Sequence, residues 1–440
     1  MTLAEVLLWG RRIGAVRWDA RRELGEFEYD PEFAASGIEV APLVLPLSRG
    51  VHRFPQLERA SYHGLPGLLA DVLPDRFGNA LIDAWLASRG RTPDSFDPVE
   101  RLCYTGKRGM GALEFKPQIG EFEPGTRAVD VRALTELAEE ALSDRSAFEA
   151  RLLDNAEAGA QSAALRSLLR VGTSAGGARA KAVIAWNPET GEVRSGQTAD
   201  RPDLEPWLIK FDGISSNRDR ELESDRPGYG RIEFAYSLMA RAAGIEMADC
   251  RLFEEGGRAH FATRRFDRTE SGGKLHMQSL CAIGHYDFNL PGGTAYEQLF
   301  AVIRRLGLGR EAEEEQFRRT VFNVLARNQD DHTKNFAFLM DQSGRWFLSP
   351  AFDLTYANNP QGAWTARHQL SLRGKRDDFS REDFRDLGRH LSFKGGRADG
   401  LFDQVATAVE AWPEFADKAG VDRPVAEAIA RGHRRIWLGS

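Results

Sequence analysis

Cysteine, lysine, long apolar runs and an excess of positive charge are all scarce or missing in this chain. Only three of its 440 residues are cysteine: Cys103, Cys250 and Cys281. Their spacing fits neither a zinc knuckle nor a disulfide framework, so a reducing cytoplasm is the expected setting. No apolar run reaches the roughly 18 residues that a membrane span requires, and no membrane association is expected. The opening MTLAEVLLWGRR has no basic stretch ahead of its apolar residues and does not read as a secretory signal. Lys and Arg total 59 against 65 Asp and Glu, a net charge of -6. That excludes a nucleic-acid binder acting through bulk charge and leaves DNA to a local patch or a partner. Of the basic residues only nine are Lys. Where Arg fills the solvated positions, a remaining Lys marks a place that Arg does not fill equally well. Lys181, Lys210 and Lys334 each fall inside a motif described below.

What is present is the composition of a globular protein, 42% hydrophobic and 28% charged. At roughly 100–200 residues per domain the length allows two to four domains. Residues 3–29 read as short strands, with a hairpin around GRR, and Leu65 to Ala87 reads as a helix from its apolar spacing. Thr105 to Gly111 is glycine-rich and precedes the strand ALEF. Residues 118–128 read as a linker. Val129 to Leu169 reads as helical, followed by glycine-rich 172–177, strand AKAVIAW and strand WLIKF. Arg231 to Ala243 reads as a helix, CRLFEE-GGR-AHFATRRF as a hairpin, and the chain from Tyr296 as mainly helical. The expected division is 1–120, a small mixed N-terminal subdomain; 129–270, a sheet-bearing lobe; and 271–440, a helical lobe.

The strongest motif is Asn328-Gln-Asp-Asp-His-Thr-Lys-Asn335, followed by Ser349-Pro-Ala-Phe-Asp353-Leu. Asp330 and Asn335 have the five-residue spacing of a kinase catalytic Asp and its metal-binding Asn, and Asp353 is placed as the later metal ligand. Mg²⁺ takes hard oxygen ligands, and the attacking hydroxyl must be oriented in line with the phosphate. A polar turn capping the helix 311–326 is the plainer reading of the same residues. Gly172 to Lys181 could cradle phosphate with its backbone N–H groups, and reads equally as a hairpin loop. Lys210, in Trp207-Leu-Ile-Lys-Phe, reads as a phosphate-pairing Lys or as the guard of an edge strand. Arg264-Arg-Phe-Asp-Arg268 reads as a structural ion pair or as a segment that presents backbone groups to an adenine ring. The order of these elements along the chain is more specific than any one of them.

With GGARAKAVI (176–184), WLIKF (207–211), RRFDR (264–268), NQDDHTKNF (328–336) and SPAFDL (349–354), the chain resembles the HipA family of serine/threonine kinase toxins. LPDRFGNAL (73–81) and GALEF (111–115) resemble that family's N-terminal subdomain, so the likeness covers nearly the full length. It implies an α+β, protein-kinase-like two-lobed fold with a small mixed α/β N-terminal subdomain and a helical C-terminal lobe. It implies ATP and Mg²⁺ as cofactors, and Asp330, His332 and Lys334 as the catalytic-loop residues. Asn335 and Asp353 match the metal ligands. Gly177, Ala178, Arg179, Ala180, Lys181, Lys210, Arg264, Arg265, Phe266, His332, Asn335 and Asp353 match the nucleotide contacts. The implied substrate is a translation component such as an aminoacyl-tRNA synthetase. The implied partner is a small DNA-binding antitoxin, with DNA reached only through it.

The chain departs from the family where a regulatory Ser is autophosphorylated: Gly176 stands there, and Ser174 is the nearest substitute. Three rival readings remain on sequence grounds. One is a kinase-like regulatory module that phosphorylates nothing. Another is a metal-dependent hydrolase built on Asp330, Asp331, His332 and Asp353. The third is a small-molecule kinase, which shares the phosphate machinery. If Ser174 is the regulatory site, Ser174→Ala removes the label that the protein transfers to itself from γ-labelled ATP; undiminished label overturns the assignment.

Overall fold

The computed structural model describes residues 2–120, 128–143, 169, 179–195, 201–215 and 227–436. The first sheet collects β1 (Leu3–Leu8), β2 (Arg11–Asp19), β3 (Leu24–Tyr29), β4 (Val51–His52) and β5 (Leu113–Lys116) in the order β4-β3-β2-β1-β5, all antiparallel. The first hairpin turns at Trp9–Gly10, one residue tighter than the expected turn at GRR. Both residues have positive φ, 50° and 80°, which matches the twist of the flanking strands. Val6, Leu8, Val16 and Phe27 pack with Leu65, Leu68 and Leu102 as this subdomain's core.

The helix expected over Leu65 to Ala87 is broken in two, Gly67–Ala70 and Arg76–Ala87. Pro74 has no N–H to donate and disfavours helical backbone at Leu73. Asp75 then caps the second helix, its side chain accepting from the Gly78 N–H at 2.7 Å. This break aims an acidic side chain out of the N-terminal subdomain.

The second sheet has the order β7-β6-β8-β10-β9, from β6 (Arg179–Trp186), β7 (Val193–Ser195), β8 (Glu205–Ser215), β9 (Cys250–Glu255) and β10 (Arg258–Arg264). Ala180, Ala182, Ile184, Trp207 and Ile209 join Phe77, Leu81 and Leu134 in one core, so helices Arg76–Ala87 and Val131–Ser143 cover this sheet. Strand alternation turns Lys181 and Lys210 away from that core. Helix Tyr229–Ala242 lies against β10 at Gly230, where a Cβ would sit 2.0 Å from the Ala259 carbonyl oxygen. Only glycine permits that approach. Asp212 on β8 fixes the start of the same helix by accepting from the Gly228 and Gly230 N–H groups, at 2.8 and 3.1 Å.

A third sheet, β11 (His276–Ser279), β12 (Ala337–Met340) and β13 (Trp346–Leu348), borders a helical lobe. Helices Tyr296–Arg305, Gly309–Leu325, Arg381–His390, Arg397–Glu410 and Trp412–Lys418 bury Phe300, Phe317, Phe322, Phe384, Phe402 and Trp412 in the largest core. Among the described residues no helix is long and apolar enough to cross a membrane.

The subdomains are joined by a buried charge cluster. Asp267, fully buried, accepts from Arg265 (2.7 and 2.9 Å), from Arg268 (2.7 Å) and from the Gly111 N–H (2.6 Å). The two arginines also donate to the Gly109 and Gly111 carbonyls, each at 3.1 Å. Burial opposes the Asp267 charge, but Arg265 and Arg268 outweigh it and hold the carboxyl well below its ordinary value. Asp267→Asn leaves the buried Arg265 without its counter-charge. The expected loss is about 3–5 kcal/mol of unfolding free energy, measured by urea denaturation.

Candidate functional site

Lys210 stands on β8 opposite Phe261 of β10, and its ammonium is shared by two carboxylates. It bonds Glu233 Oε1 at 2.5 Å and Asp353 Oδ1. Glu233 comes from the first turns of helix Tyr229–Ala242 and is buried. Asp353 comes from the loop after β13, with its backbone in the left-handed region at φ 55°, a conformation a non-glycine residue holds only where its surroundings enforce it. Burial works against the Lys210 charge, but Asp353 and Glu233 outweigh it and hold the ammonium above its ordinary value. Burial likewise opposes the Asp353 charge, yet Lys210 and Lys181 hold its carboxyl down at about 2. Sequence reading did not single out Glu233. Its signal was an acidic residue inside a largely apolar helix that follows the Lys strand.

The loop carrying Asp330 starts where helix Gly309–Leu325 ends, with Arg327 at φ 58°. It is zipped to the segment after Asp353: Gln329 N–H donates to the Ala357 carbonyl and Ala357 N–H to the Arg327 carbonyl, both at 3.0 Å. Asn335 donates its side-chain amide to the Asp330 carbonyl at 2.7 Å, closing the loop on itself. The Asp330 side chain is 42% exposed, with His332 Nε2 3.8 Å from its Oδ1. The Trp364 indole N–H donates to that same oxygen at 2.6 Å. Crowding by protein raises the Asp330 carboxyl above its ordinary value, with Asp353 and Asp331 adding to the rise, while His332 and Trp364 oppose it. Trp364 carried no sequence signal, because it meets Asp330 only through the fold of a loop 34 residues away.

Asp331 points the other way. Fully buried, it accepts from Tyr296 Oη (2.6 Å), from the Gln369 N–H (2.7 Å) and pairs with His368 Nδ1 (2.8 Å). His368 Nε2 lies 3.2 Å from Arg434 Nη1, so this interior network ties the loop to the C-terminal segment. The quartet of Asp330, Asp331, His332 and Asp353 weighed for a hydrolase is therefore not assembled, since Asp331 faces the core. Among the described residues no group of three or more His, Cys, Asp or Glu is arranged to hold a metal ion.

The remaining expected residues divide. Lys181 lies directly across from Lys210 in the β6–β8 register, and its Nζ is 3.6 Å from Asp75 Oδ2. Arg179 sits over the Tyr229 ring, 3.3 Å from its centroid, and 3.9 Å from Glu233 Oε2; Ala180 is buried in the sheet core. Lys334 turns from this cluster to the Phe288 ring, at 4.4 Å. Arg264 faces Glu205 and Asp249 at 3.5 and 3.8 Å, and the Arg265 side chain is spent on Asp267. Their backbone N–H groups are engaged as well, donating to the Asp249 and Pro206 carbonyls at 2.7 and 2.9 Å. Phe266 packs on Phe352, the residue before Asp353, at 5.5 Å. Ser174, Gly177 and Ala178 lie outside the described residues. Asn335 and Asp353 fit Mg²⁺ by donor chemistry. The Asn335 amide nitrogen is engaged, which leaves its oxygen as the donor, and Mg²⁺ needs only one or two carboxylates when phosphates supply the rest.

A family model described as the HipA-like C-terminal domain matches residues 173–412, and one described as the HipA N-terminal domain matches residues 4–116. Among curated proteins, one named "Putative kinase Y4mE" from Sinorhizobium fredii (strain NBRC 101917 / NGR234) is 24% identical over 227 residues. That match covers 47% of each protein, so the chain spans about half the length of the curated relative it matches. Among solved structures, the HipA, HipB and operator DNA complex of Shewanella oneidensis MR-1 aligns over 98% of this chain and 94% of its own. The TM-score is 0.66 at 16% identity, a likeness of fold. The Helicobacter pylori proinflammatory kinase CtkA overlaps 52% of this chain and 90% of its own at 12% identity; its TM-score of 0.30 is too low to speak for a shared fold.

Lys210→Met removes the cation between the buried Glu233 and the half-buried Asp353. A carboxyl held below its unfolded value stabilises the fold above that value and ceases to do so as pH falls through the folded one. Urea unfolding of the variant is therefore expected to show a loss on the order of 2 kcal/mol at pH 7, shrinking below about pH 4 as Asp353 protonates. A loss that does not change with pH would show that Asp353 is not held by Lys210.

Proposed function

The chain belongs to the HipA family of kinase-like toxin–antitoxin proteins, and on that premise we propose that it is an ATP- and Mg²⁺-dependent serine/threonine protein kinase. The observation that carries the reading is the convergence of Lys210, Glu233 and Asp353 beside the loop of Asp330 and Asn335. Phosphoryl transfer asks a protein mainly for positioning and for charge opposite the phosphates. Lys210 supplies that charge before any nucleotide arrives, because its two carboxylates keep it protonated. Lys181 stands beside it as a second cation. Asp330 accepts the proton of the attacking Ser or Thr hydroxyl. Its raised carboxyl makes it a better base than an ordinary Asp, and the Trp364 bond fixes one oxygen and leaves the other to the substrate. Asn335 and Asp353 would hold Mg²⁺, which when bound neutralises phosphate charge.

The protein substrate we propose is a translation component, and an aminoacyl-tRNA synthetase is the first to test. The partner we propose is a small DNA-binding antitoxin, since the Shewanella relative is a complex with HipB and operator DNA. The net charge of -6 favours DNA association through such a partner over direct binding.

The test is transfer from γ-labelled ATP with Mg²⁺, to the chain itself and to proteins of a bacterial lysate. Asp330→Asn is expected to slow transfer by about 10²–10⁴ while nucleotide affinity stays nearly unchanged. Asp353→Ala is expected to lose both transfer and Mg²⁺-dependent nucleotide binding. Tight ATP binding by the wild type without any transfer would favour the regulatory binding module. Wild-type transfer by both variants would overturn the site.

A further inference from the structure

Lys181 and Lys210 face each other across β6 and β8. Like charges directly opposite on neighbouring strands repel, and a buried ammonium without a counter-charge gives up its proton. Lys210 has Glu233 and Asp353. For Lys181, whose side chain is 4% exposed, the paired carboxylate is Asp75 at 3.6 Å, delivered by the N-terminal subdomain. Asp75 is itself 3% exposed at its side chain. One oxygen caps helix Arg76–Ala87 through the Gly78 N–H. The other has no hydrogen-bond partner and is left to the Lys181 ammonium just beyond hydrogen-bond reach.

We propose that Asp75 is a positioning residue for the nucleotide: it keeps Lys181 charged and aimed beside Lys210. The N-terminal subdomain thereby sets the phosphate affinity of the kinase lobe. This rests on the phosphoryl-transfer reading of the cleft. Among the described residues, the charged groups acting on Lys181 include Asp75 from the N-terminal subdomain, Asp353 from the loop after β13, Lys210 across the sheet and Glu233 on helix Tyr229–Ala242. Burial pulls the Lys181 ammonium below its ordinary value, and Asp75 is the largest of the carboxylates that oppose this. Burial also pushes the Asp75 carboxyl up to about 6, against the pull of Lys181, so it is ionised at neutral pH. Lys334 of the catalytic loop acts on Asp75 in the same sense as Lys181. A shift of the N-terminal subdomain that withdraws Asp75 would lower nucleotide affinity, and nucleotide binding would by linkage resist that shift.

Asparagine has the same shape and is as good a cap, so Asp75→Asn removes the charge and keeps the helix start. Full-length wild type, Asp75→Asn, Lys181→Met and the double variant are titrated with the non-hydrolysable analogue AMP-PNP and Mg²⁺. Calorimetry is run in buffers of different ionisation enthalpy. The wild type should bind with little change in affinity between about pH 7 and 9, with no proton taken up at Lys181. Asp75→Asn should bind more weakly, losing up to about tenfold per pH unit once Lys181 is neutral, and should take up a proton on binding. Lys181→Met should bind weakly at both pH values, and adding Asp75→Asn to it should change nothing further. Asp75→Ser, another uncharged cap, should reproduce the Asp75→Asn pattern, and serves if the Asn variant does not fold. Wild-type binding in the Asp75 variants, or an equal further loss in the Lys181→Met background, overturns the proposal. Failure of the wild type to bind AMP-PNP overturns the kinase reading itself, and this inference with it.

Discussion

A single buried ammonium organises this protein. Lys210 holds together three segments that are far apart in sequence: strand β8, helix Tyr229–Ala242 through Glu233, and the loop after β13 through Asp353. Taking such charges out of water costs several kcal/mol per ion, so the cluster is poor ballast for stability. What it supplies is geometry, because any displacement of the helix or loop leaves a buried charge unpaired. The close contact at Gly230 and the Asp212 cap at the start of the same helix serve that geometry by fixing where Glu233 can reach.

Two adjacent aspartates show how the surroundings set the task. Asp330 opens on the cleft, bonded by an indole and crowded enough that its carboxyl is raised. Asp331 turns into the core, where burial opposes its charge but His368, Tyr296 and the Gln369 N–H hold its carboxyl below the ordinary range. One is left available to a proton; the other is a fixed anchor. The anchor lets the loop keep its shape while its neighbour faces solvent, and through His368 and Arg434 it reaches the C-terminal segment. The N-terminal subdomain is equally engaged. It packs Phe77 and Leu81 into the core of the sheet lobe, and buried charges tie it to the rest of the chain at the Asp267 cluster and at Asp75.

Much of this is legible in the sequence. The spacing of Asp330 and Asn335, the strand around Lys210 and the later Asp353 can be read in one dimension, because each is a local pattern on a local element. The scarcity of Lys pointed to Lys181, Lys210 and Lys334. Two of the three meet at the cleft, while Lys334 packs on Phe288. The division of helix Leu65–Ala87 was hidden although its cause, Pro74, was in plain view. Its apolar spacing continues across the break, and periodicity alone does not register a proline.

The sequence by itself determined the family and the α+β class and singled out the residues proposed for phosphate chemistry, since those depend on short motifs and on the elements that bear them. Only the tertiary structure decided their partners. Glu233 for Lys210, Trp364 for Asp330 and Asp75 for Lys181 come from positions 23, 34 and 106 residues away. No local periodicity encodes such pairings. They follow from where packed helices and strands leave a buried charge, which must then find its opposite.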